Sequence, residues 1–315
     1  MMKKVLAITT ALFLILLSGC GQNNSASSNP LATSAVTETT VSQPASATGA
    51  ANSEVPPANI DQNKEYDYEV REIWVDNNGE KIYGEAYIPV TDGKSPLILT
   101  SHGMGANHES GASYARKYAP RGFAVYTWDF RGGSNKNNEN RSDGSNLKMS
   151  VMTEVSDVDV ILEAAKTWDF VDTNRIFLQG GSQGGLVTAI SGVKHEDEVA
   201  GLILLYPAFG MAALGDRYSD DMPEEIEIGS MTVGKPFFKD MIGYDVRNEI
   251  PGFEKPVLIL QGSEDSLVLP SVTKAAADLY PDAEYHIIEG AEHGFSGEHH
   301  DIATNYALDF MFKHI

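Results

Sequence analysis

"LQGGSQGGLV", residues 178–187, sets four glycines around one serine and one glutamine, between two apolar runs. Glycine at that density weakens strands and helices alike, so something here requires the side chains to be absent. The preceding "RIFLQ" reads as a strand and the following "LVTAI" as the body of a helix. Gly180-Gly181-Ser182-Gln183-Gly184 is then a Gly-x-Ser-x-Gly turn from strand to helix. A serine at the tip of such a turn sits in a strained backbone conformation, and its neighbours two before and two after must be small because strand and helix nearly collide. Gly180 and Gly184 meet that need, and Gly185 lets the helix come close to the sheet. The strain aims the hydroxyl outward, and the helix N-terminus offers N–H groups to a developing negative charge.

Elements on both sides of the turn alternate between strand and helix. "YEVREIWV" and "EKIYGEAYIPV" read as two strands joined through an Asn-Gly turn. "PLILTSHG" (96–103) and "FAVYTWDF" (123–130) are short apolar strands with the helix "ESGASYARKYAPRG" between them, closed near Pro120. "TEVSDVDVILEAAKTW" puts Val155, Val158, Leu162 and Ala165 on one helical face. "VAGLILLYPAF", "PVLILQG" and "AEYHIIEG" are further strands, followed by helices over about Ser271–Leu279 and from about Asp301. Continuous apolar strands alternating with helices indicate an α/β fold with a mostly parallel sheet covered on both faces. Residues 210–253 interrupt the alternation with Met, Phe and Tyr among acidic residues. They are too many for a connecting loop and are expected to form an inserted cap.

A serine hydroxyl attacks only when a base removes its proton, and that base is normally a histidine oriented by a carboxylate. Asp265 follows the strand "LILQG", and His293 follows the strand "YHIIEG". Parallel strands share a direction, so both lie at the rim where Ser182 must be. Glu264 is an alternative acid, whereas Asp282 precedes its strand and lies at the other end. His286 falls inside a strand and is expected to pack. His299 and His300 stand in a polar stretch and are expected to be solvated; with Asp301 they lack the spacing and partners of a metal site. An oxyanion needs two donors, one from the residue after the serine, Gln183, and one from a loop after an early strand. In "SHGMGANHE", Gly103 and Gly105 flank Met104, whose N–H is the candidate. His102 either shapes that loop by hydrogen bonding or serves as a second base. Asp129 and Arg131 of "DFRGG" either contact substrate or form an ion pair that shapes their loop.

Taken in order, "SHGMG", "GGSQGG", "GSED" and "EGAEHGF" resemble the α/β-hydrolase superfamily from about residue 66 onward. Within it, Gly-x-Ser-Gln-Gly-Gly and the insertion are similar to the cinnamoyl and feruloyl esterases and to serine aminopeptidase-like hydrolases. In that esterase group the residue before the serine is often histidine, and here it is Gly181. The resemblance implies a central sheet flanked by helices, and a nucleophile Ser182, acid Asp265 and base His293. It also implies oxyanion donors on Met104 and Gln183, and two-step cleavage of a small-molecule carboxylic ester with no metal or organic cofactor. A peptidase or thioesterase using the same three residues is the nearest alternative, and a ligand-binding surface lipoprotein without catalysis is another.

The sequence opens with "MMKK" and the apolar "VLAITTALFLILL", a signal-peptide pattern too short to span a bilayer comfortably. "LSGC" follows and resembles the lipobox of bacterial lipoproteins, which implies that residues 1–19 are removed and that Cys20 is lipidated. Several acyl chains on one residue give lasting attachment where a single chain is marginal. The expected location is the extracytoplasmic side of a bacterial membrane. Cys20 is the one cysteine in 315 residues, so no intrachain disulfide forms. Residues 20–62, rich in Ser, Ala, Thr, Asn, Gln and Pro, bury too little apolar surface to fold and are expected to be a flexible tether to a domain over 63–315. A formal net charge of −21 repels phosphate backbones and argues against nucleic acid as a partner.

Overall fold

The computed structural model describes residues 55–135, 137–211, 215–216, 222–228 and 231–315. The expected signal peptide over 1–19, the expected lipidation of Cys20 and the expected tether as far as residue 54 fall on residues outside those described. Strands β1 (Tyr68–Asn77) and β2 (Glu80–Pro89) form an antiparallel hairpin with Asn77 opposite Glu80. Its two-residue link holds Asn78 at φ 55° and Gly79 at φ 92°. Two successive left-handed residues match the right-handed twist of the flanking strands, which is why Asn-Gly stands there.

The chain continues through β3 (Ser95–Ser101), α1 (Glu109–Tyr118), β4 (Ala124–Trp128), α2 (Val151–Ala165), β5 (Val171–Gly181) and α3 (Gln183–Lys194). Next come β6 (Gly201–Leu205), a hairpin of β7 (Glu225–Ile228) and β8 (Met231–Gly234), and α4 (Lys235–Lys239). Then β9 (Val257–Gly262), α5 (Pro270–Ala277), β10 (Ala283–Ile288) and α6 (Glu298–Lys313) complete the described chain. The main sheet runs β1-β2-β4-β3-β5-β6-β9-β10. The β1–β2 and β2–β4 pairs are antiparallel, and all pairs from β4 to β10 are parallel. This is the α/β-hydrolase architecture.

Strand residues alternate between two cores, as the period of two demands. Ile98, Val125, Ile203 and Leu258 pack against Ala112 and Ala115 of α1 and Ala307 and Phe310 of α6. Leu99, Leu178, Leu204 and Ile259 face the other way, against Val158 and Ile161 of α2, Val187 of α3 and Ala276 of α5. A capping box fixes the start of α2: the Ser150 hydroxyl accepts from the Thr153 N–H, and the Thr153 hydroxyl accepts from the Ser150 N–H. Helix α6 begins at Glu298, three residues before the predicted Asp301, because Gly297 at φ 54° turns the chain there.

The insertion divides by partner. Ile228, Met231, Val233, Phe237 and Phe238 form a small apolar cluster with Met149 of the main domain, and Met104 packs against it. Met241, Val246, Ile250 and Phe253 belong instead to the main core beside α3. Its final third is thus core rather than cap, since these apolar side chains are spent under the helix. Residues 55–62 also depart from the tether expectation. Ala58 is buried, its N–H donates to Lys94 O at 2.8 Å and its carbonyl accepts from Arg175 Nη2 at 3.1 Å. The folded part therefore starts earlier than the polar composition of that stretch indicates.

Candidate active site

Ser182 has φ 56° and ψ −120°, a region that L side chains rarely adopt. Its own backbone holds it there. The Ser182 N–H donates to Leu205 O at 3.0 Å, and its carbonyl accepts from Gly185 and Ala208 N–H at 3.0 and 2.9 Å. The glycines answer to sterics. A methyl group on Gly180 would overlap the Gly184 backbone, and one on Gly184 would reach 2.5 Å from His102 O. Gly185 faces Pro207 Cα, where an added Cβ would stand at 2.9 Å.

The rim of the sheet brings two more side chains to this turn. Asp265 follows β9, and His293 follows β10. Their loops are knit together: Glu264 N–H donates to Ala291 O at 2.9 Å, Gly290 N–H to Ser263 Oγ at 2.8 Å, and Ser263 N–H to Ile288 O at 3.1 Å. His293 Nε2 stands 3.0 Å from Ser182 Oγ, and His293 Nδ1 stands 2.9 Å from Asp265 Oδ2. Asp265 is buried. Its Oδ1 accepts from the Leu267 and Val268 N–H groups, each at 2.9 Å, and its Oδ2 accepts from Gln261 Nε2 at 3.0 Å. Burial alone would raise the Asp265 carboxyl, but the hydrogen bond and charge of His293, with these N–H donors, hold it below the ordinary carboxylate range. An ionised Asp265 fixes Nδ1 as the protonated nitrogen and leaves Nε2 to accept the serine proton.

Two peptide units adjoin the serine. Gln183, at the start of α3, follows it directly. The other is Gly103–Met104: a Cβ at Gly103 would lie 3.4 Å from Ser182 Cβ. The Gly103 carbonyl is held by His102 Nδ1 at 2.8 Å and by the Ala106 N–H at 3.1 Å. In a trans peptide the C=O and the following N–H point in opposite directions, so fixing this carbonyl fixes the Met104 N–H. His102 Nε2 accepts from the Phe130 N–H at 3.1 Å, so both ring nitrogens are engaged. Complete burial pushes the His102 ring down to about 4, which keeps it neutral. It shapes the loop and has no nitrogen left to act as a base.

Other candidates separate by position. Glu264 is exposed, while Asp265 takes the histidine contact. Asp282 is exposed at the opposite end of its strand. His286 stacks on Tyr306 with centroids 4.3 Å apart. His300, expected in solvent, is half-buried: its ring lies 4.1 Å from that of Tyr114 and its Nε2 is 3.0 Å from Ser113 Oγ. Among the described residues no group of three His, Cys, Asp or Glu side chains could hold a metal ion. Asp129 and Arg131 do not pair with each other. Asp129 Oδ1 is 2.7 Å from His108 Nδ1, while Arg131 Nε donates to Asp157 Oδ1 at 2.6 Å and its Nη1 to Glu80 Oε2 at 2.5 Å. These are structural links from separate elements, which adjacency in sequence could not reveal.

Sequence reading missed Tyr206. It follows β6 at the same rim, with φ 38°, and its ring meets that of His293 edge-on at 4.8 Å. Its place at the end of a parallel strand was the available signal. Also missed was the partner of the Gln183 side chain, a buried glutamate on α2.

The model of the prolyl oligopeptidase family matches residues 111–315. The quorum-quenching protein AidA of Acinetobacter baumannii is 22% identical over 178 residues, 52% of this chain and 55% of that protein. The match thus spans about half the length of that curated relative. Est1E of Butyrivibrio proteoclasticus, solved with ferulic acid bound, superposes with a TM-score of 0.71 at 22% identity, over 77% of this chain and 98% of Est1E. Acetyl xylan esterase 1 of a Thermoanaerobacterium species gives a TM-score of 0.58 at 18% identity, over 78% and 83% of the two chains. These structures share the fold, and the family model covers well over half of the sequence: the chain is an α/β-hydrolase of the prolyl oligopeptidase family.

Proposed function

We propose that the chain is a serine hydrolase of carboxylic esters, with short acyl or aromatic acid groups, working through Ser182, His293 and Asp265. The observation that carries this is the unbroken line Ser182 Oγ–His293 Nε2–His293 Nδ1–Asp265, at 3.0 and 2.9 Å. His293 takes the proton of Ser182 as Oγ bonds to the acyl carbon. The carbonyl oxygen becomes an oxyanion between the N–H groups of Met104 and Gln183. Loss of one such donor typically costs about 3 kcal/mol of barrier. The imidazolium, favoured by ionised Asp265, gives its proton to the departing alkoxide, leaving an acyl-serine. Water then loses a proton to His293, attacks the acyl carbon, and Ser182 leaves with the proton returned.

The ester reading draws support from fold neighbours whose names carry esterase chemistry. A second reading, cleavage of peptide or aminoacyl amides, draws on the family match. A panel of p-nitrophenyl acetate, methyl ferulate and aminoacyl p-nitroanilides separates them. Faster turnover of the esters is expected, and anilide cleavage without ester preference would remove the esterase reading. The lipobox resemblance supports a lipid anchor at Cys20 and a place on the outer face of a bacterial cytoplasmic membrane, with residues 20–54 as its tether.

A further inference from the structure

Behind the nucleophile lies a buried acid that the reaction above does not use. Glu154 is 1% exposed in the first turn of α2, and its Oε2 accepts from Gln183 Nε2 at 2.8 Å. Gln183 is itself 1% exposed. Burying a carboxyl and an amide is unfavourable unless they satisfy each other, and an apolar pair of the same shape would do no worse for stability alone. The other side of Glu154 borders the second oxyanion arm. A Cβ at Gly133 would stand 3.4 Å from Glu154 Oε1 and 3.2 Å from His102 Cε1. The Gly133 carbonyl accepts from the Gly105 N–H at 3.0 Å, one residue past Met104.

We propose that Glu154 is a positioning residue of the oxyanion hole, holding the Gln183 side chain so that the backbone N–H of Gln183 keeps its direction. This rests on the hydrolytic reading of Ser182. The anchor behind Glu154 is firm. Its N–H donates to Ser150 O at 3.1 Å, and the Ser150 hydroxyl donates to Asp240 Oδ2 of the insertion at 2.6 Å. Met149, whose Sδ lies 4.0 Å from Gln183 Nε2, belongs to the apolar cluster of the insertion. The first turn of α2 is thus clamped between the insertion and the sheet, and Gln183 is tied to the clamp. Burial pushes the Glu154 carboxyl up to about 8, against the hydrogen bond from Gln183, which lowers it, and with the charge of Asp157 adding. Near neutral pH it is the uncharged acid, a shape and charge that glutamine copies.

The test uses the full chain with p-nitrophenyl acetate, comparing E154A, E154Q, Q183A and E154A/Q183A. E154A is expected to lower kcat on the order of 10- to 100-fold with KM within about twofold, the mark of a misplaced transition-state donor. E154Q, which can still accept from Gln183, is expected to retain kcat within about threefold. Adding E154A to Q183A is expected to cost nothing further, because the two act as one unit. Unchanged kcat in E154A, losses that multiply in the double variant, or an E154Q as impaired as E154A would each overturn the proposal. If E154A does not fold, E154L, closer in volume, takes its place in the cycle. A wild type that cleaves no ester would instead sink the hydrolytic reading, whereas an active wild type with an unaffected E154A sinks the positioning role alone.

Discussion

At the scale of single residues, Ser182 holds a conformation that costs roughly 1–3 kcal/mol and persists because its backbone is bonded on both sides. The strain serves direction: it presents Oγ to His293 instead of to the helix. Asp265 keeps the imidazole in the tautomer that can receive the proton. Asp265→Asn is expected to lower kcat by roughly 10⁴-fold while leaving the circular dichroism spectrum unchanged, since the amide favours the wrong tautomer. Glu154 makes a separate, thermodynamic prediction. Its folded value of about 8 lies above the ordinary 4.5, so the folded chain binds that proton more tightly than the unfolded chain does. The stability it contributes is full below the ordinary value and is lost as pH rises towards the folded one. Melting temperatures taken between about pH 5 and pH 8 should fall with pH more steeply in the wild type than in E154Q. Parallel slopes would show that the acid is ionised when folded.

At the scale of elements, the site exists because β5 and α3 meet at a turn too tight for side chains. Gly184→Ala would drive a methyl group to 2.5 Å from His102 O, against backbone that cannot yield. It is expected to cost at least about 1–3 kcal/mol, the range of an overpacked core. A urea midpoint equal to wild type would mean that the turn is looser than described. This turn was legible in the sequence because glycines spaced around a serine have few other uses. The parallel strands were legible for a similar reason: "LILL" and "VLIL" are apolar on both faces and fit only a doubly covered sheet. The partners of Asp129, Arg131 and Gln183 were not legible, since each lies on an element distant in sequence. His108, Asp157 and Glu154 come into reach only once the sheet is assembled. The docking of residues 55–62 was hidden because backbone hydrogen bonds to Lys94, blind to composition, hold it.

At the scale of the whole molecule, chain order maps onto one functional rim. The ends of β5, β9 and β10 supply Ser182, Asp265 and His293, β6 supplies Tyr206, and the insertion packs its apolar cluster against Met104 and Met149. The anchor proposed at Cys20 would hold the domain at a membrane. Cys20→Ala is expected to move the protein from the membrane fraction to the soluble fraction on cell fractionation; unchanged partition would refute the lipid anchor. The central claim is that Ser182 is a nucleophile activated by His293. It is tested most directly by mass spectrometry of the purified protein after exposure to a fluorophosphonate. A single adduct on the peptide containing Ser182 is predicted in the wild type, with none in Ser182→Ala and strongly slowed labelling in His293→Ala. A folded wild type that takes up no adduct, or takes it up elsewhere, would contradict the account.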